Sequence, residues 1–391
     1  MPSHTLSALL LTCPPIPHVR IGLVGLGQRG MKTLSRYADI EGAEICGVAD
    51  LCRQKVEEAA DALAVSSRKE PFKLWGEEAW KEMCARDDVD LVYVCTEWNS
   101  HCRIAVEAMT RGKHVAVEVP AATTVEECRL LVSTAEQTRR HCFMTENCCY
   151  DFFTLQTLEM HRRGLFGQIT HCEGAYIHDL TRPASTTAHG MTDTRHNWIE
   201  HSCATHGGNP YPTHAIGPIA RLLGIHRNDR FSHLVSLTAK GGGSAESPIG
   251  RVNNTLIATE KGVTILLQLD VTTHRPYSRL QTICGTEGFA RKYPVPTIQI
   301  GPNPCLTGKA ALDFMKQFSS SPSSKLWEEG HARGVPNEMN YAMDARLIRC
   351  LNQGLPLDID VYDAAEWSCL SELTRLSATQ GGKPVEIPRF L

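Results

Sequence analysis

One glycine pattern near the start of the chain restricts the fold more than any other feature. Gly25, Gly27 and Gly30 of "VRIGLVGLGQRG" follow an apolar run and precede an amphipathic segment. Glycines at this spacing permit a tight strand-to-helix turn and let the backbone approach a pyrophosphate at the helix N-terminus. The pattern predicts an α/β domain with a parallel sheet that binds a dinucleotide at its first turn. The alternative is a similar turn that binds nothing.

The next apolar segment indicates which dinucleotide is bound. "AEICGVAD" has the composition of a second strand, and it ends at Asp50, 20 residues after Gly30. A carboxylate at this position accepts a hydrogen bond from a ribose 2′-hydroxyl and repels a 2′-phosphate. The sequence therefore predicts NAD rather than NADP as the cofactor.

The pattern of apolar segments changes near Tyr150, which predicts two domains in the 391 residues. Before this point five short apolar strands alternate with helical segments, as in a doubly wound parallel sheet. After it, longer strands with hairpins, such as one turning at Lys261 and Gly262, predict a mainly antiparallel open sheet. We expect a flexible tail over residues 1–19, an NAD-binding Rossmann domain over 20–150 and a substrate-binding α+β domain over 151–391.

Composition excludes several classes of partner. The net charge of −3 provides no basic field for nucleic acid or an anionic membrane, and the chain has no run of 18 or more apolar residues. The short apolar stretch Leu6–Leu11 has no basic residue before it, so we expect no secretory signal and a cytoplasmic protein. Sixteen cysteines without a C-x-x-C pair predict buried, reduced thiols.

A short motif connects these features to a known superfamily. With the glycine pattern and the antiparallel second half, "EVP" at Glu118–Pro120 makes the chain resemble the Gfo/Idh/MocA oxidoreductases. In the dehydrogenases of that superfamily the tripeptide is usually "EKP", and its lysine assists hydride transfer at a sugar or polyol carbon. Val119 neither donates nor accepts a proton. A sugar dehydrogenase with net turnover of NAD stays as an alternative, but it would need another acid/base group, such as His214.

Several longer segments, in order from about Arg20 to the C-terminus, resemble one branch of the superfamily. They include "EVPAATTVEE", "ENCCYDFF", "HCEGAYIHDL", "NPYPTHAIGPIA" and "GLPLDIDVYDAAEW". These segments are similar to the NAD-dependent glycosidases of glycoside hydrolase family 109, known chiefly as α-N-acetylgalactosaminidases. The resemblance implies transient oxidation at the sugar C3, loss of the C2 proton, elimination of the aglycone from C1 and addition of water. It also implies an α-N-acetylgalactosaminide or a related sugar as substrate.

The resemblance also assigns the catalytic residues. Tyr176 is the candidate base for the C2 proton, and His214 is the candidate for moving the proton of the C3 hydroxyl. Histidine titrates near neutrality, whereas tyrosine needs a nearby cation to act as a base. Which residue performs which transfer stays open. The substrate-binding residues implied by the resemblance are Tyr211, Pro212, Thr213, His214 and Tyr293.

The cofactor contacts implied by the same resemblance come from several loops. They are Gly25, Gly27, Gln28, Arg29, Gly30, Asp50, Trp98, Asn99, His101, Glu118, Val119 and Asn147. We interpret Glu146 as a supporting group outside the reaction. We expect no metal, because the neighbours His178 and Asp179 point to opposite faces of a strand. By similarity we expect a homodimer.

The chain departs from the family pattern ahead of the "YPTH" segment. The family usually has Trp-Arg there, whereas this chain has Trp198 and Ile199. Isoleucine cannot replace the bidentate donor that arginine provides. His196, His201 and His206 are candidates for compensation. The departure affects the choice of sugar, and it favours the remaining alternative, a non-catalytic homologue that binds NAD.

Overall fold

The computed structural model describes residues 7–64, 70–179, 199, 201–239 and 252–391. Contacts within the chain divide it into two compact units. The first unit comprises Met1–Thr145, Glu329–Ser368 and Phe390–Leu391, and the second comprises Glu146–Glu328 and Cys369–Arg389. The functional division at residue 150 stays a prediction, and the structure adds that a long C-terminal segment groups with the first unit.

The first unit contains a six-stranded parallel sheet with strand order β3-β2-β1-β4-β5-β6. Its strands are β1 (Val19–Val24), β2 (Ala43–Asp50), β3 (Phe72–Trp75), β4 (Leu91–Val94), β5 (His114–Val117) and β6 (Cys142–Met144). This order is that of a Rossmann sheet, in which ligands bind where the order reverses, between β1 and β4. The predicted fold class is confirmed. The sequence analysis missed β3, because "FKLW" is only four residues long and incompletely buried.

Five helices connect these strands. They are α1 (Gln28–Tyr37), α2 (Arg53–Ala64), α3 (Ala79–Ala85), α4 (Trp98–Thr110) and α5 (Val125–Thr138). Helix α5 begins with a capping box, in which the Glu127 N–H donates to Thr124 Oγ1 over 3.1 Å. The Glu127 carboxylate in turn accepts from the Thr124 N–H over 3.2 Å. Each of the two residues thus satisfies a backbone N–H at the helix start.

The second unit contains a nine-stranded mixed sheet with strand order β14-β13-β12-β11-β7-β10-β9-β8-β15. Only β7 and β10 pair in parallel, and every other pairing in this described sheet is antiparallel. Gly262, with a φ of 85°, lies in the turn between β9 and β10, where the hairpin was predicted. The strands are β7 (Ile169–Ile177), β8 (Phe231–Thr238), β9 (Asn253–Thr259), β10 (Thr264–Asp270), β11 (Thr282–Gly285), β12 (Gly288–Arg291), β13 (Thr297–Ile300), β14 (Leu306–Thr307) and β15 (Val385–Glu386).

The remaining helices follow β6 along the chain. They are α6 (Phe152–Arg162), α7 (His201–His206), α8 (Thr213–Leu223), α9 (Lys309–Met315), α10 (Pro322–Arg333), α11 (Glu338–Gln353), α12 (Val361–Ser368) and α13 (Leu370–Thr379). Helix α12 joins the first unit, where Ser368 Oγ accepts from the Ala121 N–H over 3.1 Å. Over the part of the chain that the structure describes, no helix is both long enough and apolar enough to cross a membrane.

The predicted N-terminal tail is not loose from Ser7 onward. Ala8, Leu11 and Cys13 are buried. The Ala8 N–H donates to Tyr362 Oη over 2.9 Å, and the Ile16 N–H donates to the Leu351 carbonyl over 3.0 Å. The prediction of a flexible tail over residues 1–19 was wrong for this part, because it is partly buried and its backbone donates hydrogen bonds to residues more than 300 positions later in the chain.

Helix α8 lies directly on strand β7 because the strand carries a glycine at the point of contact. A Cβ atom on Gly174 would lie 2.4 Å from the carbonyl oxygen of Ala215, which is closer than real Cβ atoms approach. Any larger residue would therefore push the helix away from the strand. This close packing sets the positions of Tyr176, two residues further along β7, and of His214, in the first turn of α8.

Candidate active site

The three glycines of the first turn differ in what surrounds them. Gly25 has a φ of 92°, and its Cβ would lie 2.7 Å from the Cys95 carbonyl, while that of Gly30 would lie 1.9 Å from the Gly25 oxygen. A Cβ on Gly27 would meet nothing within 4 Å. Packing inside the protein therefore requires the first and third glycines, whereas the second faces open space at the start of α1. This is the arrangement that lets a bound pyrophosphate approach the backbone.

Asp50, at the end of β2, is held by the glycine turn. Its Oδ2 accepts from the Leu26 N–H over 2.7 Å, and its Oδ1 accepts from the Cys52 N–H over 2.9 Å. A carboxylate has about four lone-pair sites, so these two bonds fix its orientation and leave capacity for ribose hydroxyls. The residues of this turn thus fit the adenosine half of NAD.

Arg29 and Glu118, both predicted to contact the cofactor, form an ion pair with each other. Arg29 Nε lies 2.6 Å from Glu118 Oε1, and its Nη2 donates to Asn340 Oδ1 over 3.3 Å. Burial alone would lower the pKa of Arg29, but the Glu118 carboxylate more than offsets this and raises it above the usual range. The pair ties α1 to the segment that follows β5. Direct contact of either residue with NAD stays a prediction.

His101 is buried within the first unit, and both ring nitrogens have backbone partners. Nδ1 lies 2.8 Å from the Pro120 oxygen, and Nε2 lies 3.0 Å from the Thr96 oxygen. Burial lowers the pKa of His101 despite these carbonyls. The ring therefore connects α4 to the "EVP" segment, in which Val119 is 3% exposed. Its contacts inside the protein are those of a positioning residue, and a contact with NAD stays a prediction.

The other predicted cofactor residues lie at element starts. Gln28 and Trp98 are the first residues of α1 and α4, and Asn99 follows Trp98 with its side chain exposed. Asn147, in the second unit, begins a buried 3₁₀ turn that ends at Tyr150. The polar groups of a helix start are available to a ligand, but the contacts of these residues with NAD stay predictions.

In the second unit, three of the residues assigned to the sugar lie together. Ring centroids are separated by 5.0 Å for Tyr176 and Tyr211, 5.6 Å for Tyr176 and His214, and 4.7 Å for Tyr211 and His214. Tyr211 Oη lies 2.8 Å from His214 Nε2, and Tyr176 Oη lies 3.0 Å from His178 Nδ1. The structure therefore pairs each tyrosine hydroxyl with an imidazole, as proton transfer requires.

Glu146 has a more direct part in this cluster than the sequence suggested. It is fully buried, and its Oε1 lies 2.7 Å from His214 Nδ1. Burial by itself would raise the pKa of Glu146, but the interaction with His214 lowers it to about 2. An ionised carboxylate at Nδ1 favours the tautomer with its proton there, which leaves Nε2 as the acceptor toward Tyr211. The available signal was the position of Glu146 just after β6, at the carboxyl end of a parallel strand.

Sequence reasoning also missed an arginine in the same unit. The guanidinium of Arg279 contacts both Tyr277 Oη and Cys148 Sγ. The ring of Tyr277 lies 5.4 Å from that of His178. Burial raises the pKa of Tyr277 above the usual range. The segment "LDVTTHRPYSR" resembles the family, but nothing in it singles out Arg279.

The remaining sugar-binding candidates take different positions. The Tyr293 ring lies 6.0 Å from that of Tyr277, so it adjoins the cluster. Pro212 caps α8, and its carbonyl accepts from two N–H groups of the first turn. Thr213, the first residue of that helix, is fully buried. The contacts of all three with a sugar stay predictions.

The structure describes only some of the residues around Ile199. Trp198 and His196, and the side chain of His201, lie outside the described residues. His206 Nε2 lies 3.2 Å from Ser371 Oγ, and burial lowers the pKa of this imidazole to about 4. A histidine that is neutral at pH 7 does not restore the positive charge of an arginine. Compensation for Ile199 by His206 through a hydrogen bond stays a prediction.

Both halves of the chain match models of known protein families. Residues 150–391 match the family model "Glycosyl hydrolase 109, C-terminal domain", and residues 19–146 match "Oxidoreductase family, NAD-binding Rossmann fold". A curated relative, the alpha-N-acetylgalactosaminidase of Bacteroides fragilis, is 49% identical over 407 residues, which cover 100% of this chain and 95% of the relative.

Two solved structures show the same fold at low sequence identity. An NAD binding oxidoreductase from Klebsiella pneumoniae superposes with a TM-score of 0.73 at 15% identity, covering 95% of this chain and 100% of that one. Levoglucosan dehydrogenase in complex with NADH and levoglucosan superposes with a TM-score of 0.72 at 17% identity and the same coverage. At such identities the likeness describes the fold alone.

Proposed function

This chain belongs to glycosyl hydrolase family 109, and from that premise we propose that it hydrolyses α-N-acetylgalactosaminides or closely related glycosides by transient oxidation of the sugar. Its residues 19–146 form an NAD-binding Rossmann domain. Bound NAD⁺ supplies a reversible hydride acceptor for the sugar C3 carbon. The side chains of the second unit supply the proton transfers.

His214 moves the proton of the C3 hydroxyl in this proposal. Glu146 orients the imidazole through Nδ1 and stabilises the positive charge that develops when Nε2 takes up a proton. Tyr211 Oη, 2.8 Å from Nε2, fixes the direction in which that nitrogen points. An imidazole that takes up this proton at Nε2 can return it to the same oxygen at the end of the cycle.

Tyr176 removes the C2 proton. A ketone at C3 acidifies that proton, and its removal expels the aglycone from C1 by elimination. Water then adds at C1, the proton returns to C2, and reduction of the ketone restores the C3 hydroxyl, so sugar and cofactor end in their original oxidation states. The Tyr176 hydroxyl is hydrogen-bonded to His178 Nδ1, and this imidazole supports transfer of the phenolic proton. A tyrosine, with an ordinary pKa of about 10, depends on such a neighbour to act as a base.

The observation that carries the proposal is the hydrogen-bonded chain Glu146–His214–Tyr211 beside Tyr176, in a protein that has Val119 where the dehydrogenases have lysine. Glycosidases that use two carboxylates need both of them free to flank the glycosidic bond. Glu146 is fully buried and bonded to His214, which suits it to orient an imidazole rather than to protonate a leaving group.

The test follows aglycone and cofactor together. Purified protein with bound NAD is incubated with 4-nitrophenyl α- and β-N-acetylgalactosaminides, and nitrophenol release is recorded alongside absorbance of reduced nicotinamide. We expect many turnovers of release from the α-anomer with no net reduced cofactor, and deuterium at C2 of the sugar when the solvent is D₂O. Reduced cofactor in amounts equal to consumed sugar, without nitrophenol, would establish the dehydrogenase alternative. Neither product from any sugar tested would favour the non-catalytic homologue.

We also infer that the chain forms a homodimer through one face of the nine-stranded sheet. Leu237 and Leu256 are 57% and 50% exposed. The register pairs Leu237 with Asn254 and Val235 with Leu256, so the two leucines share a face. Apolar side chains exposed on adjacent strands are typical of an interface. Light scattering should give twice the chain mass, and Leu256→Asp should shift it toward a single chain. A single-chain mass for the unsubstituted protein would contradict the inference.

A further inference from the structure

Behind the imidazole of His214 lies a set of side chains that no step of the proposed reaction uses as a group. One ligand atom from each of Glu146, Cys148 and His214 lies within 4.8 Å of the other two. His214 Nδ1 is 2.7 Å from the carboxylate oxygen and 3.2 Å from the thiol sulfur. The side chain of His214 is 10% exposed, and the other two residues are buried more deeply.

These three atom types are those that bind zinc. Carboxylate oxygen, imidazole nitrogen and thiolate sulfur coordinate Zn²⁺ at about 2.0 to 2.3 Å, which separates tetrahedral ligand atoms by roughly 3.3 to 3.6 Å. Compared with the observed distances, the ligand atoms of Glu146 and Cys148 need to move away from Nδ1 by only about 0.3 to 0.7 Å to admit the ion. Rotamer adjustments of this size are small for a carboxylate and a thiol.

A second observation points to a missing ligand at the same place. Glu146 Oε2 is buried and has no hydrogen-bond partner among the described residues. A buried carboxylate oxygen without a partner is costly, and native proteins rarely leave one so. A cation held by both carboxylate oxygens of Glu146 satisfies Oε2 as well as Oε1.

The chemistry of the three ligand atoms determines which cations fit. Burial raises the pKa of the Cys148 thiol despite the contact of its Sγ with the Arg279 guanidinium, so a cation that binds there has to release the thiol proton. Thiolate and carboxylate together balance the charge of a divalent ion. Mg²⁺ and Ca²⁺ prefer six or more oxygen ligands, which this set does not offer, whereas Zn²⁺ and similar borderline-soft ions prefer nitrogen and sulfur.

We propose that Glu146, Cys148 and His214 form an inhibitory site for Zn²⁺ or a similar borderline-soft divalent cation. The inhibitory part rests on the proposed function of His214. A metal at Nδ1 replaces the proton there, so the neutral ring carries its remaining proton on Nε2. That nitrogen then only donates, toward Tyr211 or the sugar, and no longer accepts the proton of the C3 hydroxyl. The metal thus stops proton transfer from the side of the ring that faces away from Tyr211.

Co²⁺ is the probe of binding, because a cobalt–thiolate bond has a charge-transfer absorption that oxygen and nitrogen ligands do not produce. The NAD-loaded full chain is stripped with a chelator and titrated in a Cys52→Ser, Cys305→Ser background, which removes the two exposed thiols. We expect one equivalent of Co²⁺ with the thiolate band, displaced by Zn²⁺. Cys148→Ser should lose the band. Cys149→Ser, which removes the adjacent buried thiol outside the ligand set, should keep it.

Inhibition is measured separately, as the ratio of aglycone release with and without Zn²⁺ for each variant. We expect a reversible loss of more than about tenfold in the background protein and in Cys149→Ser, little loss in Cys148→Ser, and no effect of Mg²⁺. Glu146→Gln provides a second variant, in which Co²⁺ affinity should fall by at least about tenfold while the thiolate band persists at saturation.

The outcomes separate the two proposals. Absence of the thiolate band in the background protein, or its persistence in Cys148→Ser, overturns the metal site whatever the activity. A band that depends on Cys148, in a protein that releases no aglycone from any sugar, supports the metal site and removes the proposed function. Aglycone release that Zn²⁺ leaves unchanged at saturating occupancy overturns the inhibitory role.

Discussion

The sharpest consequence of the site concerns Glu146, which we expect to be a positioning residue for His214. The substitution Glu146→Gln preserves the size of the side chain and removes its charge. The pKa of Glu146 falls from an ordinary 4.5 to about 2, and the carboxylate is fully buried against the imidazole. That difference corresponds to about 3 kcal/mol of interaction in favour of the charged state.

The same interaction stabilises the imidazolium that forms when His214 takes up a proton. If most of it is lost in the amide, kcat should fall by about 100-fold, since each 1.4 kcal/mol is worth about a factor of ten. KM should change by no more than about threefold, because Glu146 is buried and does not provide a binding surface. Initial rates of nitrophenol release, with NAD content and thermal unfolding measured on the same samples, provide the assay.

A matched control is Glu173→Gln, which removes a partly exposed carboxylate on β7 that lies 3.9 Å from His171. It should leave kcat within about twofold, because a partly exposed pair of this kind contributes little. A kcat within about threefold of the unsubstituted protein for Glu146→Gln, with folding intact, would refute the reasoning that this carboxylate orients the base.

Three further outcomes follow from the geometry. Gly27→Ala should change the free energy of unfolding by less than about 0.5 kcal/mol relative to the unsubstituted protein, because the added Cβ meets nothing within 4 Å. The variant should nevertheless lose NAD on desalting, and retention of the full cofactor complement would contradict this. Gly174→Ala should lower the free energy of unfolding in urea by about 1 to 3 kcal/mol and reduce kcat, because the added Cβ would lie 2.4 Å from the Ala215 oxygen. An unchanged urea midpoint would show that α8 does not pack against β7 at this position. Burial lowers the pKa of His114 to about 3 and of His141 to about 4, so the unfolded chain binds more protons as the pH falls below 6.5. The contribution of these two neutral imidazoles to the free energy of unfolding should be fully present above pH 6.5. Toward pH 4 the free energy of unfolding should fall by up to about 1.4 kcal/mol per pH unit for each imidazole. In urea titrations His114→Gln should make this pH dependence less steep, and an identical pH dependence in the variant would disprove the assignment.

Much of the first unit was predictable because its signals are local. The glycine spacing, Asp50 at the end of β2 and the capping box before α5 each depend on residues close together in the chain. The turn at Gly262 is another such case, since a positive φ favours glycine regardless of distant contacts. Strand β3 escaped prediction because four incompletely buried residues carry no periodicity.

The C-terminal segment shows the limit of local signals. The helical character of α12 and α13 is evident from apolar spacing, but Ser368 belongs to the first unit and Cys369 to the second. Likewise, the burial of Ala8 depends on Tyr362, which lies 354 residues away. Contacts at such separations are determined by packing of the whole chain, and spacing does not encode them.

By itself, the sequence determined the class of the fold and the NAD-binding turn, because each follows from residue type and short-range spacing; that Val119 replaces an acid/base side chain follows only from the family resemblance. Resemblance to a family supplied Tyr176 and His214. Only the tertiary structure decided that Glu146, 68 residues before His214, accepts from its Nδ1, that Cys148 lies beside that nitrogen, and that Arg279 contacts the Cys148 sulfur. The physical reason is that the position of His214 depends on the packing of α8 on β7 at Gly174, and that contact exists only in the folded chain.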